Sequence, residues 1–230
     1  MTDVQHTADT SGREHARTAA RSEFDKWALR YDRSWLNEFV FHPSIRICQE
    51  EIIRWKIATA ATSYRALDVG CGTGKLLSVL ARDPQAELLI GLDYSPVMIE
   101  KLQLKIDEIG EEKRRVFGIH GDSEHLPFAD QTFDILTCCN SFHHYPNQAA
   151  VVAEFKRVLK PRGKMILIDG FRDNVIGSVI FDIGVQTIEK DVHHASWREF
   201  REMMESAAFA TILQKKVNVL SPLLVNLGTV

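Results

Sequence analysis

From Tyr64 onward, short apolar runs alternate with longer amphipathic ones, and that order leaves few architectures open. A buried strand, an amphipathic helix and another buried strand, repeated, is the pattern of parallel strands joined by crossover helices. Residues 66–70 read as a first strand; after a glycine-rich turn, residues 75–81 carry Leu76, Leu77 and Leu80 on one helical face. Residues 88–93 form a second strand, apolar except at Asp93. Ser95 and Pro96 then supply an N-cap and a first-turn proline for a helix through Ile99, Leu102 and Ile106 toward Gly110. Residues 116–119 and 133–139 make a third and a fourth strand. The next helix, 148–160, buries Val151, Val152, Phe155, Val158 and Leu159 and stops at Pro161-Arg-Gly163. A fifth strand at 164–169, a helix at 197–207 and two closing strands at 209–219 and 223–230 complete the pattern. The fold class that follows is α/β, a doubly wound, mostly parallel sheet with its ligand at the carboxyl ends of the strands.

The bulk numbers agree with one core and exclude several functions. At 230 residues and 45% hydrophobic content the chain is long enough for one well-buried domain. A formal charge of −3 offers no general attraction to a polyanion, so the expected partner is a neutral or small molecule, with no nucleic acid. Cys48, Cys71, Cys138 and Cys139 form no C-x-x-C pair and no Cys/His ligand spacing, so no metal site and no disulfide framework is expected. A reducing cytoplasm fits that usage. No apolar run approaches the ~18 residues that span a bilayer, so no membrane span is expected. Residues 1–20, polar and threonine-rich, read as a flexible leader, 21–63 as an N-terminal helical cap, and 64–230 as the main domain. An insertion at about 171–196 interrupts that domain.

The chemistry concentrates at strand ends. Asp68-Val-Gly70-Cys71-Gly72-Thr-Gly74 lies where a buried strand turns into a helix, and its glycines permit positive φ and close approach of a ligand to the backbone. A helix N-terminus also aims amide hydrogens and partial positive charge into such a crevice. Asp93 ends the second strand, where a carboxylate accepts hydrogen bonds from both hydroxyls of a ribose. Asp122 and Ser123 follow the third strand at the same rim, placed for the amino group and ring nitrogen of an adenine. Each feature has a plain alternative: a tight connection for the glycines, a solvated strand end for Asp93, a turn cap for Asp122. Their coincidence at one edge is far less ordinary than any one of them.

Five segments, Leu67-Asp-Val-Gly-Cys-Gly-Thr-Gly74, Gly91-Leu-Asp-Tyr-Ser-Pro-Val-Met98, Gly121-Asp-Ser-Glu-His-Leu-Pro-Phe128, Phe133-Asp134 and Val158-Leu-Lys-Pro-Arg-Gly163, resemble the class I S-adenosylmethionine-dependent methyltransferases. Within that family they are similar to the branch typified by the ubiquinone and menaquinone biosynthesis enzymes. The resemblance implies a Rossmann-like, seven-stranded sheet with the last strand antiparallel and an N-terminal helical lid. It implies S-adenosylmethionine as cofactor, with Gly70, Cys71 and Gly72 against its methionine and ribose parts and Asp68 tied through water to its amino group. Asp93 would hold the ribose, Tyr94 and Met98 would pack on the adenine, Asp122 and Ser123 would read its edge, and Asn140 would offer its backbone carbonyl to the methionine amino group. Tyr31, in the segment 24–32, would lie near the methionine end. Met98 and Tyr31 also read as core contacts. One departure is Ala207-Ala-Phe209, where the family usually has a glycine before the aromatic residue.

A sulfonium methyl is already electrophilic, so holding a nucleophile in line behind it supplies most of the acceleration. A general base helps where the acceptor must lose a proton, and His143 and His144, just beyond the fourth strand, are the candidate catalytic residues. His193 and His194 stand second to them. Ile176, Val179, Ile180, Phe181 and Ile183 in the insertion point to a hydrophobic or aromatic acceptor. Rival readings are a non-catalytic S-adenosylmethionine-binding protein and a nicotinamide-dependent oxidoreductase, which expects G-x-G-x-x-G instead of the Gly70, Gly72, Gly74 spacing. A phosphate loop is excluded because Leu76 stands where Ser or Thr is required, and the Asn-Pro-Pro-Tyr type of motif of a nucleic-acid methyltransferase is missing. The methylated atom and the oligomeric state have no signature in the sequence.

Overall fold

The computed structural model describes residues 42–170, 194–217 and 223–230, without the side chains of residues 112 and 113. Helix α1 (His42–Thr59) places Cys48, Ile52 and Trp55 at helical spacing on its buried face, and the Trp55 indole N–H donates to the Arg162 carbonyl at 2.8 Å. Strand β1 (Tyr64–Val69) leads through the glycine bend to α2 (Lys75–Leu80). Strand β2 (Ala86–Asp93) begins two residues before the apolar run, because Ala86 is buried beside Tyr64. Helix α3 (Pro96–Asp107) starts as its sequence dictates, with the Ser95 hydroxyl accepting the Met98 N–H at 3.3 Å.

A 3₁₀ turn (Gly110–Arg115) delivers β3 (Val116–His120), and β4 (Phe133–Cys139) follows. Helix α4 (Gln148–Val158) ends two residues short of the expected 160. Leu159 is already extended, pairs with Phe133 and opens a long β5 (Leu159–Gly170). Pro161 explains the early stop, since the residue before a proline is disfavoured in the helical region. Helix α5 (Trp197–Ser206) carries a reciprocal capping box between Ser196 and Glu199. Strands β6 (Thr211–Lys216) and β7 (Leu223–Thr229) close the sheet, β6 being shorter than the expected 209–219. Before it, Ala208 takes φ 59°, a left-handed turn that costs a non-glycine residue ~1–2 kcal/mol. That is the physical meaning of the missing glycine.

The strand order is β3-β2-β1-β4-β5-β7-β6, with the first five strands parallel and β7 antiparallel to both of its neighbours. Alternate side chains of each strand face opposite layers. Leu67, Val69, Leu136, Cys138 and Leu167 pack with α4 and α5 on one side, while Ala66, Ile135, Ile166 and Ile168 pack with α1, α2 and α3 on the other. The chain changes direction across the sheet between β1 and β4. Side-chain-free space is expected there, at the carboxyl ends of those two strands. Among the described residues no helix is long and apolar enough to cross a membrane.

Candidate active site

A cleft opens at this switch point. It is lined by Asp68, Gly70 and Cys71 from the end of β1, Thr73, Lys75 and Leu76 from the bend and α2, and Cys139 and Asn140 from the tip of β4, with Ser44 and Ile45 of α1 on its remaining wall. The bend between β1 and α2 is made by Gly70, Gly72 and Gly74 at φ 67°, 53° and 75°. At Gly70 the reason for glycine lies in the protein: a Cβ there would stand 2.2 Å from the Ser141 hydroxyl and 2.6 Å from that of Tyr145. At Gly72 a Cβ would meet nothing within 4 Å. One glycine makes room for the β4 loop, whereas the other faces open space.

Asp93 holds the bend in place. Its Oδ2 accepts the Gly72 N–H at 2.8 Å and its Oδ1 the Ser95 N–H at 2.9 Å, so one carboxylate ties the glycine turn to the start of α3. Burial pushes its pKa up, against the stabilising pull of those two amides and of His120. Asp68 is buried and accepts the Thr137 hydroxyl of β4 at 2.7 Å. Burial, reinforced by the charge of Asp93 and opposed by Thr137, pushes its carboxyl up to about 7. Asp122 lies two residues past β3, where its Oδ1 accepts the Glu124 N–H at 2.9 Å. The turn-capping alternative is therefore real for Asp122, and its other oxygen stands 3.8 Å from His125.

Asp68, Asp93 and Asp122 thus share one edge of three neighbouring strands, β1, β2 and β3. Of the other expected residues, Ser123 is buried beside Asp122, and Tyr94 is 40% exposed with its ring 6.1 Å from that of His120. Met98 is buried on α3. Asn140 sits at φ 55° and its side-chain amide donates to Ser44 at 3.1 Å, joining α1 to the tip of β4. Tyr31, His193 and the apolar positions of the 171–196 insertion up to Ile183 lie outside the described residues.

The two candidate histidines differ. His143 Nδ1 lies 2.6 Å from Asp169 Oδ1 while its backbone N–H donates to Oδ2 at 2.9 Å. Burial opposes the charge of Asp169, yet His143, His194 and the Gly170 amide outweigh it and hold the carboxyl below its usual range. His144 is held neutral: burial and the nearby His143 and His194 drive its pKa well down. The His143 ring also stacks on that of His194, 4.5 Å away. Asp169 was missed in the sequence, although it closes an apolar strand as Asp93 does. Equally unforeseen is the 3.3 Å approach of the Cys48 and Cys139 sulfurs, 91 residues apart in the chain.

A doubly wound sheet with a glycine bend at its switch point and acids along the same edge is an arrangement at which such sheets bind nucleotide ligands. Comparison with known proteins narrows the class. The family described as "Methyltransferase domain" matches residues 67–167. The uncharacterized methyltransferase YcgJ of Bacillus subtilis is 31% identical over 157 residues, 67% of this chain and 60% of its own length. Its crystal structure superposes with a TM-score of 0.64 at 25% identity, covering 76% of this chain and 71% of that one. A demethylmenaquinone methyltransferase of Lactiplantibacillus plantarum is 33% identical over 152 residues, 64% of this chain and 60% of its own length. An S-adenosylmethionine-dependent methyltransferase of Thermotoga maritima shares the fold, with a TM-score of 0.68 at 19% identity over 90% of this chain and 98% of that one. The chain spans about 60% of the length of the first two relatives. Residues 67–167 thus match a methyltransferase domain, and the sheet they build has the fold of S-adenosylmethionine-dependent methyltransferases.

Proposed function

We propose that this chain transfers the methyl group of S-adenosylmethionine, by in-line displacement at carbon, to a small hydrophobic or aromatic acceptor. The single observation that carries the reading is the cleft between β1 and β4, into which the glycine bend, the buried Asp68 and Asn140 all open. Asp93, already oriented by two backbone amides, keeps further lone pairs for the ribose hydroxyls, while Tyr94 and Met98 serve the adenine face and Asp122 and Ser123 its edge. Gly70, Cys71 and Gly72 provide the close approach of backbone to ligand, and Asn140 offers its carbonyl to the methionine end. For the acceptor, support comes from the apolar side chains of the insertion and from relatives named demethylmenaquinone methyltransferase. His143, oriented by Asp169, is better placed than His144 to act on the acceptor, since Asp169 fixes its ring.

A screen of quinols, phenols, amines and lipids with isotope-labelled S-adenosylmethionine, followed by mass analysis, tests this reading. Label in an aromatic or apolar acceptor is the expected result. Cofactor binding with no transfer to any acceptor would favour a non-catalytic binding protein, and binding of NADH in its place would end the proposal.

Asp68 gives the cleft a pH dependence of definite sign. Its carboxyl pKa lies above the usual carboxylate value, so between about pH 4 and 7 the folded chain keeps a proton that the unfolded chain has released, and stability declines as pH rises through that window. A cofactor bearing an ammonium and a sulfonium favours the ionised carboxylate. S-adenosylmethionine should therefore bind more tightly as pH climbs from about 5 to about 8, with proton release on binding below about pH 7. Calorimetric titration in buffers of different ionisation enthalpy reads both effects. Asp68→Asn should flatten the pH profile; a slope unchanged in the variant would remove Asp68 from the cleft's chemistry.

A further inference from the structure

Three side chains from separate parts of the chain meet beside the cleft: His143 from the 3₁₀ turn after β4, Asp169 from the end of β5, and His194 from the segment leading into α5. One ring nitrogen from each imidazole and one carboxylate oxygen of Asp169 all lie within 4.8 Å of one another. We propose that these three residues form a binding site for one divalent first-row transition-metal ion, of which Zn²⁺ is the simplest representative.

The donor set decides the kind of ion. Two imidazoles and one carboxylate suit Zn²⁺, Fe²⁺, Co²⁺ or Ni²⁺, whereas Mg²⁺ and Ca²⁺ prefer oxygen alone. Ligand atoms ~2.0–2.1 Å from a tetrahedral ion stand ~3.3 Å apart, so closure of this cluster asks for a movement of about 1–1.5 Å. The His143 and Asp169 atoms, 2.6 Å apart, must separate by about 0.7 Å to admit the ion, while the third ligand closes in. Without an ion a proton lies between the pair; with one, the imidazole nitrogen and the carboxylate become co-ligands, the proton leaves, and His143 serves as a ligand in place of the base role given to it above.

Asp169 is also supported as a metal-ligating carboxylate should be. The backbone amides of His143 and Gly170 donate to its Oδ2 and Oδ1 at 2.9 and 2.7 Å, fixing its orientation. The cluster is well screened from water, with side-chain exposure of 12% for His143 and 2% for Asp169 and with His194 buried. In such surroundings a dication against one carboxylate is offset by two neutral nitrogen donors, and three protein ligands leave a coordination position open. The site shares the strand edge of the cleft, since His143 lies three residues beyond Asn140 and β5 pairs with β4. That an acceptor oxygen fills the open position rests on the methyl-transfer reading above; the metal site itself does not.

The test uses the full chain, stripped of metal by dialysis against a chelator and titrated with Zn²⁺ by calorimetry and with Co²⁺ by visible absorption. One ion per chain and cobalt d–d bands are expected. Asp169→Asn and His194→Ala should each weaken Zn²⁺ binding by at least about tenfold, while S-adenosylmethionine affinity, read on the same samples, reports that the variants are folded. His194→Gln, closer in shape, stands in should His194→Ala not fold, and His125→Ala, at an exposed histidine outside the cluster, should bind metal as the parent does. No stoichiometric uptake by the parent, or equal affinity in the parent and the cluster variants, would overturn the proposal. Metal bound without methyl transfer to any acceptor would count against the proposed function and leave this site standing.

Discussion

Asp93→Ala is expected to bind S-adenosylmethionine at least about a hundredfold more weakly than the parent chain. Two hydrogen bonds from ribose hydroxyls to a charged acceptor are worth about 1.5 kcal/mol or more each, and about 1.4 kcal/mol is a factor of ten. The substitution removes both at once. It also frees the Gly72 and Ser95 amides that the carboxylate holds at 2.8 and 2.9 Å, so the bend loses the brace that presents its backbone to the ligand. Some stability is recovered because a desolvated carboxylate is no longer buried. The melting temperature should therefore move much less than the affinity does. Isothermal titration beside a thermal melt separates the two, and an affinity equal to that of the parent would take Asp93 out of the binding site.

Gly70→Ala should instead damage the fold. A Cβ at this position would press on the Ser141 hydroxyl at 2.2 Å, its Cβ at 2.6 Å and the Tyr145 hydroxyl at 2.6 Å, and φ is 67°. Those neighbours are not free to retreat, for Ser141 also bonds Val69, Cys138 and Tyr145. Overpacking at ~1–3 kcal/mol and a left-handed alanine at ~1–2 kcal/mol together make a loss of about 2–5 kcal/mol, or a fall in melting temperature on the order of 10 °C. Gly72→Ala is the informative contrast. Its added methyl meets nothing within 4 Å, so only the conformational cost of about 1–2 kcal/mol applies. Cofactor affinity should nevertheless fall in the Gly72 variant, because the methyl projects where a ligand approaches the bend. Urea denaturation and cofactor titration on both variants check the pair; equal stability losses would show that the two glycines do the same work.

Much of this architecture is legible in the amino-acid sequence. The order of strands and helices follows from periodicity, and the ends of α3 follow from Ser95, Pro96 and the chain's approach to Gly110. Boundaries failed where a neighbour overruled local pattern. Lys160 belongs to a strand because Leu159 pairs with Phe133, and β2 starts early because Ala86 is covered by the elements around Tyr64. The edge proposed for the cofactor was legible because its glycines and acids stand at strand ends, a position that sequence pattern alone locates. The Asp169 cluster was not. Nothing local marks His143, Asp169 and His194 as neighbours, and two of the three belong to segments that meet only because β5 lies beside β4.

By itself, then, the sequence determined the α/β alternation, the bend that needs glycine and the acids at the strand tips, since each depends on side-chain period or on backbone conformations within a few residues. The tertiary structure alone decided which strands are neighbours. From that choice come the elevated pKa of Asp68 against Thr137 of β4, the contact between Cys48 and Cys139, and the union of two imidazoles with Asp169. The physical reason is range: helix capping, backbone conformation and hydrophobic periodicity act along the chain, whereas burial and the electrostatic coupling of side chains arise only once distant segments are packed together.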